Sequence, residues 1–515
     1  MIVVAPLLVR GNSCGHDFDF HLQSWMDVVR QWHEGNWYPQ WLSSANYGAG
    51  EPRLVFYPPV TWLLGGALAA LLPWSATPGT LIFLCVLGAG LTFYRFARGW
   101  LDVQAAAAAA CLYAANPYLL FVVYERGAIG EMAAAVWIPL VLLFLLERGR
   151  SMVALALAIA AVWLTNAPAA VMACYTVALL AVFKAVREKQ WRPVLRAASA
   201  GALGIGLAAF YIVPAAYERR WVEIDRAIGA GMRVEDSFLF MHTGEAFHDQ
   251  VLRTASIIAV VVLVAGGVAA WRVLRTETHK SRVNSALTLL LATIAFLLLP
   301  ISELVWRFAP ELQFLQFPWR WLLVAAAASA FLAGAATQGL RWRRPYTTAI
   351  ATLTIAAGLT AIAARYYWQP CDDEDAVSAQ VRTFQSGDGF EGTDESPVQR
   401  RSRSGKYRDP SSRNEDGSVT PVETLKSVSA FDQVAGDRLQ PLGSLPVGFE
   451  LRERRSHQSF RIAQRLLHSI HRRPRGLVAG QVLSGRLAQF LRVLGYVEHI
   501  VHDLEGQPGV AAELR

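Results

Sequence analysis

Between residues 79 and 366 the chain is a succession of apolar runs close to twenty residues long, separated by short loops. Few folds accept such a pattern. Hydrocarbon offers no hydrogen bonds, so a run of this length persists there only as a helix, which satisfies its own backbone. Only 17% of the 515 residues are charged and 54% are hydrophobic, whereas soluble domains carry about 25% charge. The runs predict spanning helices near 79–97, 104–122, 131–147, 151–165, 168–184, 197–215, 252–272, 283–299, 320–340 and 345–366. The opening "MIVVAPLLV" is too short to span and lacks the basic start and cleavage site of a signal peptide. It reads as the remainder of a truncated first helix. The expected fold is an all-α polytopic membrane protein of about eleven transmembrane helices with a polar C-terminal tail.

Charge orients these helices. Arg95 and Arg98 fall in one loop, Arg148 and Arg150 in another, and Lys184, Arg187, Lys189, Arg192 and Arg196 in a third. Arg272, Arg275, Lys280 and Arg282 follow, then Arg341, Arg343 and Arg344. Short basic loops poor in acid lie in the cytoplasm. The alternation holds only if the apolar stretch 58–73 does not cross. Its core, Val60–Leu72, would be about 20 Å long as a helix, against a hydrocarbon thickness of about 30 Å. It is expected to dip into the outer face and return. The outer side then holds 10–78, 124–131, 165–168, 216–251, 300–319 and the tail from Trp368.

The net charge of +8 owes much to residues beyond Ser396. Basic loops and tail account for it, and no nucleic-acid partner is expected. The five cysteines show no metal-ligand spacing; Cys85, Cys111 and Cys174 sit in apolar runs and read as small buried hydrophobes.

The unusual polar motifs all fall on the outer side. "HDFDFH" places His16, Asp17, Asp19 and His21 where the first helix gives way to a helical segment over 20–34. In that segment Trp25, Val28, Val29 and Trp32 recur at helical spacing, while Asp27, Arg30 and Gln31 take another face. An amphipathic helix at the interface is expected, with Trp25, Trp32, Trp37 and Trp41 at the water–lipid boundary. An aspartate at the hydrocarbon edge needs hydration or a partner. Asp17 or Asp19 could take a proton from a hydroxyl nucleophile, or bind a divalent cation; equally, either could be a solvated acid capping the helix. No cofactor follows from the sequence, and metal ligands are unknown.

"YERGAIGE" crowds Glu125, Arg126 and Glu131 into one turn. Arg126 could pair with either acid, or bind a phosphate with Glu131 as a second site acid. In "PELQFLQFPWRW", Gln316 and Arg320 enter a helix, and an arginine at a helix start opposes the macrodipole and calls for an anionic partner. The loop residues Glu218, Arg219, Arg220, His242 and His248 suggest no specific role.

Taken together, these motifs resemble the GT-C superfamily of membrane glycosyltransferases, which place an acidic residue in the first outer loop beside two extracytoplasmic juxtamembrane helices. Here 20–34 and 58–73 take the places of those helices. More closely, "HDFDFH", "GNWYPQW", "FYPP", "YERGAIGE", "WIPL", "AFYIVPA" and "QFPWR", in this order over roughly 1–395, resemble the bacterial membrane family labelled 6-pyruvoyl-tetrahydropterin synthase-related. The zinc-ligating histidine trio of the soluble synthase is missing. The resemblance implies a GT-C-like domain over 1–367 with its first outer loop at 10–78, in a bacterial inner membrane. It implies a polyprenyl-phosphate-linked sugar donor and transfer on the extracytoplasmic face. Asp17, Asp19 and Glu131 would be the catalytic acids, and His16, His21, Arg126, Gln316 and Arg320 would bind substrate. An extracytoplasmic region would begin at 368–395. The Arg- and Ser-rich stretch from 396 to 515 breaks from that pattern and reads as a frameshifted or disordered basic tail.

Two other functions fit less of the sequence. A lipid or solute transporter would carry ionisable residues deep in its spans and internal repeats, and the span interiors are almost uncharged. A non-catalytic membrane scaffold on the same frame would keep the helices and not the acids' role.

Overall fold

The computed structural model describes residues 2–147, 151–221, 233–276, 282–338 and 345–392. The basic tail, with the frameshift reading attached to it, lies outside these residues, as do Arg148, Arg150, Lys280 and Arg341–Arg344. The described residues are helical and contain no strand; an isolated antiparallel bridge joins Leu42 to Glu51.

A short helix, α1 (Ala5–Arg10), leads into a loop and then α2 (Phe18–His33) and α3 (Pro59–Ala69). The bundle follows: α4 (Thr77–Ala97), α5 (Val103–Ala114), α6 (Ile129–Leu146), α7 (Met152–Trp163), α8 (Ala167–Glu188), α9 (Arg192–Leu207), α10 (Ala209–Glu218), α11 (Ala246–Thr276), α12 (Arg282–Leu297), α13 (Leu322–Gln338) and α14 (Pro345–Tyr366). After α14 comes the short α15 (Val377–Ser386).

Among the described residues, seven segments are long and apolar enough to cross a membrane, and up to nine if two bent pairs each count as one span. The bent pairs are α9 with α10, at 73°, and α12 with Pro300–Phe308, at 95°. They coincide with the runs near 197–215 and 283–299. The run near 151–165 forms only the 12-residue α7, about 18 Å of helix. That helix and the six-residue α1 make the difference from eleven. The 11 residues of α3 reach about 16 Å, well short of the hydrocarbon thickness.

Small residues set the helix packing, as expected where lipid gives no hydrophobic drive for helices to associate. A Cβ at Gly334 of α13 would come within 2.7 Å of Ala109 Cβ and 2.8 Å of the Ala105 carbonyl on α5. The α2–α3 pair uses the same device. A Cβ at Gly65 would collide with the Trp25 ring at 2.1 Å, and one at Gly66 would meet Val28 at 2.9 Å. The glycine pair in "LLGGAL" lets α3 lie against the tryptophan face of α2.

This packing corrects two readings of α2. Trp25 is fully buried against α3 rather than anchored at the lipid boundary, while Trp37 and Trp41 are exposed. The polar face is also covered. Asp27 and Gln31 are buried under the 41–46 loop, and Arg30 lies over Phe384 of α15. Residues 387–392 continue that cover: Phe390 N donates to Ser44 O at 2.8 Å and Tyr47 N to Phe390 O at 2.8 Å.

Candidate functional site

Backbone geometry fixes Asp17. The loop after α1 lies flat on residues 124–127. Ser13 Oγ donates to Tyr124 O at 2.6 Å and Asp17 N to Arg126 O at 2.7 Å. Gly15 permits the approach, because a Cβ there would stand 2.3 Å from the Glu125 carbonyl oxygen and 2.6 Å from Gly127 N. A third strand of chain joins: Gln369 N donates to Ser13 Oγ at 3.0 Å, Cys14 N donates to Gln369 O at 3.0 Å, and Cys14 forms a disulfide with Cys371. Disulfides persist in oxidising compartments, which suits the outer side for this whole junction.

From that platform the Asp17 carboxylate reaches the Arg126 guanidinium at 3.5 Å. Arg126 also pairs with Glu131, and Glu131 accepts from the Tyr118 hydroxyl. Trp319 lies under the guanidinium, 5.1 Å from its ring centre. Arg126 and Glu131 are buried, whereas the Asp17 side chain is 45% exposed. The buried arginine is therefore clamped on three sides, by a carboxylate, a ring and the half-open Asp17. It pairs with Glu131 rather than with its sequence neighbour Glu125.

Arg320 approaches from the start of α13. Its Nη1 donates to Leu315 O at 3.0 Å and its guanidinium lies 5.1 Å from the Phe317 ring. Its Nε is buried without a hydrogen-bond partner, and among the described residues no carboxylate comes within ion-pair distance. The turn that delivers it contains Gln316 at φ +61°, ψ −49°, a conformation that costs a non-glycine residue of the order of 1–3 kcal/mol.

Asp19, His16 and His21 stand beside this cluster, within the electrostatic reach of Asp17. Asp19 accepts from Phe20 N at 2.8 Å and shares the field of Arg53. Its pKa is raised, chiefly by burial, against the pull of that hydrogen bond and of Arg53. Arg53 is committed to a buried pair with Glu51 and sits 4.4 Å over the Phe20 ring. His21 stacks near Trp25, and burial pulls its pKa down to about 4 in spite of Asp17 nearby. The His16 ring packs edge-on to Phe247 at 4.8 Å, and burial lowers its pKa too. Among the described residues no group of three or more histidines, cysteines or acids gathers as a metal site.

Sequence reasoning passed over Tyr118 and Trp319, which complete the arginine clamp, and the disulfide. The last left a readable trace: Cys14 and Cys371 are the two cysteines outside the apolar runs, both on the assigned outer side.

Three solved structures resemble the fold at a TM-score of 0.44 each. They are ArnT from Cupriavidus metallidurans bound to undecaprenyl phosphate (16% identity over 69% of this chain), the mycobacterial arabinofuranosyltransferase AftD (18% over 73%) and the oligosaccharyltransferase AglB from Archaeoglobus fulgidus with an inhibitory peptide and a dolichol-phosphate (16% over 77%). This chain spans 62%, 28% and 59% of their respective lengths. So distant a likeness fixes no residue's role. A search of curated protein sequences found no match. A model of one family matches residues 54–369, taking in Arg126, Glu131, Gln316 and Arg320 but not Asp17. The chain belongs to the 6-pyruvoyl-tetrahydropterin synthase related family of membrane proteins.

Proposed function

We propose that the chain is a membrane glycosyltransferase that moves a sugar from a polyprenyl-phosphate carrier to a hydroxyl acceptor on the extracytoplasmic face of a bacterial inner membrane. The observation that carries this reading is the pairing of opposites at one end of the bundle. Asp17 is held by its backbone yet half open, and Arg320 stands within electrostatic reach of Arg126, Glu131 and Asp17 with no carboxylate at ion-pair distance among the described residues.

The chemistry needs both. The acceptor hydroxyl oxygen attacks the anomeric carbon, and the bond from that carbon to the phosphate oxygen breaks. The hydroxyl proton passes to the Asp17 carboxylate, and the phosphate departs on its lipid with one more negative charge. Arg320 is the better partner for that charge, because Arg126 already faces Glu131 and Asp17. Glu131, enclosed by Arg126 and Tyr118, acts as a positioning residue for Arg126 rather than as a proton acceptor. Asp19, His16 and His21 then stand near Asp17 without touching the reacting atoms, and Gln316 positions Arg320. The disulfide and the arginine distribution support the outer face.

The test is release of polyprenyl phosphate by purified protein in nanodiscs supplied with undecaprenyl-phosphate-linked sugars and a crude acceptor extract. Release that requires Asp17 and Arg320 is the expected result. No release from folded protein across a panel of donors would leave the scaffold reading in its place.

A further inference from the structure

A second polar feature lies outside this cluster. A half-open pocket of about 290 Å³ is lined by Arg233, Glu235, Glu303, Arg307 and Gln313, with Trp306 buried behind them. Its size is near the lower end of small-molecule sites, roughly 300–1,000 Å³, suited to a single ring.

Its charges cancel, two arginines against two glutamates, and Glu303 and Arg307 already pair. An anion entering would meet both glutamates, and a cation both arginines. A neutral ligand rich in hydroxyls would meet donors and acceptors in alternation, since guanidinium donates, carboxylate accepts and Gln313 does both.

The cavity's edge is apolar. Glu303 and Arg307 share one face of the short helix Glu303–Phe308, while Ile301, Leu304, Val305 and Phe308 are exposed. The 95° bend after α12 lays this segment across the direction of the spans, as a helix along the membrane surface lies. These exposed side chains would set a ligand here against an apolar surface.

Chain neighbours of the lining residues reach towards the cluster in three contacts. The first two residues beyond the start of α11 look both ways: Phe247 packs on His16, next to Asp17, and His248 Nε2 lies 3.2 Å from Asp236 O, next to Glu235. On the other side Arg320 holds Leu315 O, two residues past Gln313.

We propose that this cavity binds the sugar headgroup of an amphiphile whose chain lies along Leu304 and Phe308. Resting on the glycosyltransferase reading, we assign that amphiphile the part of acceptor.

The experiment uses the full chain in nanodiscs and, as probe, n-dodecyl β-D-glucoside carrying a diazirine in its alkyl chain. Photolabelling is expected in the peptide covering 301–315. Unlabelled dodecyl glucoside should reduce it at least tenfold, and dodecylphosphocholine should not. The pair Glu303→Leu with Gln313→Leu should lose the labelling at unchanged thermal unfolding, since an exposed ion pair adds little stability. Asp17→Asn should label like wild type. Equal competition by dodecylphosphocholine would mean a bare lipid interface and overturn the site, and so would absent labelling of folded protein. Labelling without any donor turnover in the wild type would end the transferase reading while leaving the sugar-headgroup site in place.

Discussion

Two aspartates, Asp17 immediately before α2 and Asp27 within it, live in opposite circumstances. Asp27 is fully buried and its lone pairs are filled: Ser43 Oγ donates at 2.9 Å, Ser44 N at 3.0 Å, and Ser44 Oγ and Arg30 complete the set. Asp17 begins the same helix, is nearly half exposed and has one ion contact, at 3.5 Å. A buried carboxylate must be saturated or the fold pays for it. A carboxylate whose backbone is pinned while its oxygens stay open has capacity left for a ligand. The contrast separates an acid that holds the structure from one the structure holds.

The largest effect expected is on chemistry. Asp17→Asn should lower polyprenyl-phosphate release by about 10²–10⁴-fold, the usual contribution of a general base. Its unfolding free energy should move by less than about 1 kcal/mol, because Asp17 is nearly half exposed and Arg126 keeps its pair with Glu131. Asp27→Ala should do the reverse, costing on the order of 3 kcal/mol by leaving Ser44 N and Arg30 without their shared acceptor. Thermal unfolding in one detergent, measured beside the release assay, reads both. If Asp17→Asn unfolds the protein as readily as Asp27→Ala does, the distinction between the two collapses.

Gly65→Ala comes next, at roughly 1–3 kcal/mol of overpacking against Trp25. It should loosen α3 from α2 and weaken both aspartates' surroundings together, so the melting temperature falls.

What could be read from sequence follows the range of the forces involved. Hydrocarbon acts on whole segments, and seven of the ten complete runs named from hydropathy are helices long enough to span. Two more are bent at a break, at Ala208 and near Leu299, which composition does not reveal. The helix over residues 20–34 was legible from its periodicity, but the periodicity misled about its surroundings. Asp27, Arg30 and Gln31 looked like a solvated face because residues 41–46 and α15, which cover them, lie far along or fall in turns without a pattern. The Asp17–Arg126 contact was open to inference only as far as sidedness. Its actual link, Asp17 N to Arg126 O, depends on Gly15 lacking a side chain. Tyr118 gave no signal at all, being one aromatic residue in an apolar run.

A smaller effect should appear with pH. Burial holds the folded pKa of His21 near 4, below its unfolded value of about 6.5. The unfolded chain then takes up a proton that the folded one refuses. His21 therefore costs nothing above pH 6.5, and stability drains as pH falls from 6.5 towards 4. Asp19, with its raised pKa, works in the other direction, since its folded form accepts protons more readily as pH falls. In an Asp19→Asn background, replacing His21 with Phe should preserve the ring beside Trp25 and flatten the acid limb of a stability profile. An unchanged acid limb would show that His21 is as open as Asp17, and not enclosed like Asp27.

The smallest effect sorts a residue that stands between the two cases. Gln316 sits at positive φ, and its strained turn aims Arg320. Glycine accepts that conformation freely, but it also gains entropy in the unfolded chain, about 0.5–1 kcal/mol relative to alanine. The two terms oppose, so Gln316→Gly should leave stability within about 0.5 kcal/mol of wild type. Gln316→Val keeps the strain and adds branching at positive φ, and should cost about 1–2 kcal/mol. Transfer is the deciding measurement. If the turn serves only to place Arg320, the glycine variant should lose no more than a few-fold in turnover, with KM for the donor rising as the arginine loosens. A loss as deep as that of Asp17→Asn, at unchanged stability, would move Gln316 from positioning into contact with substrate.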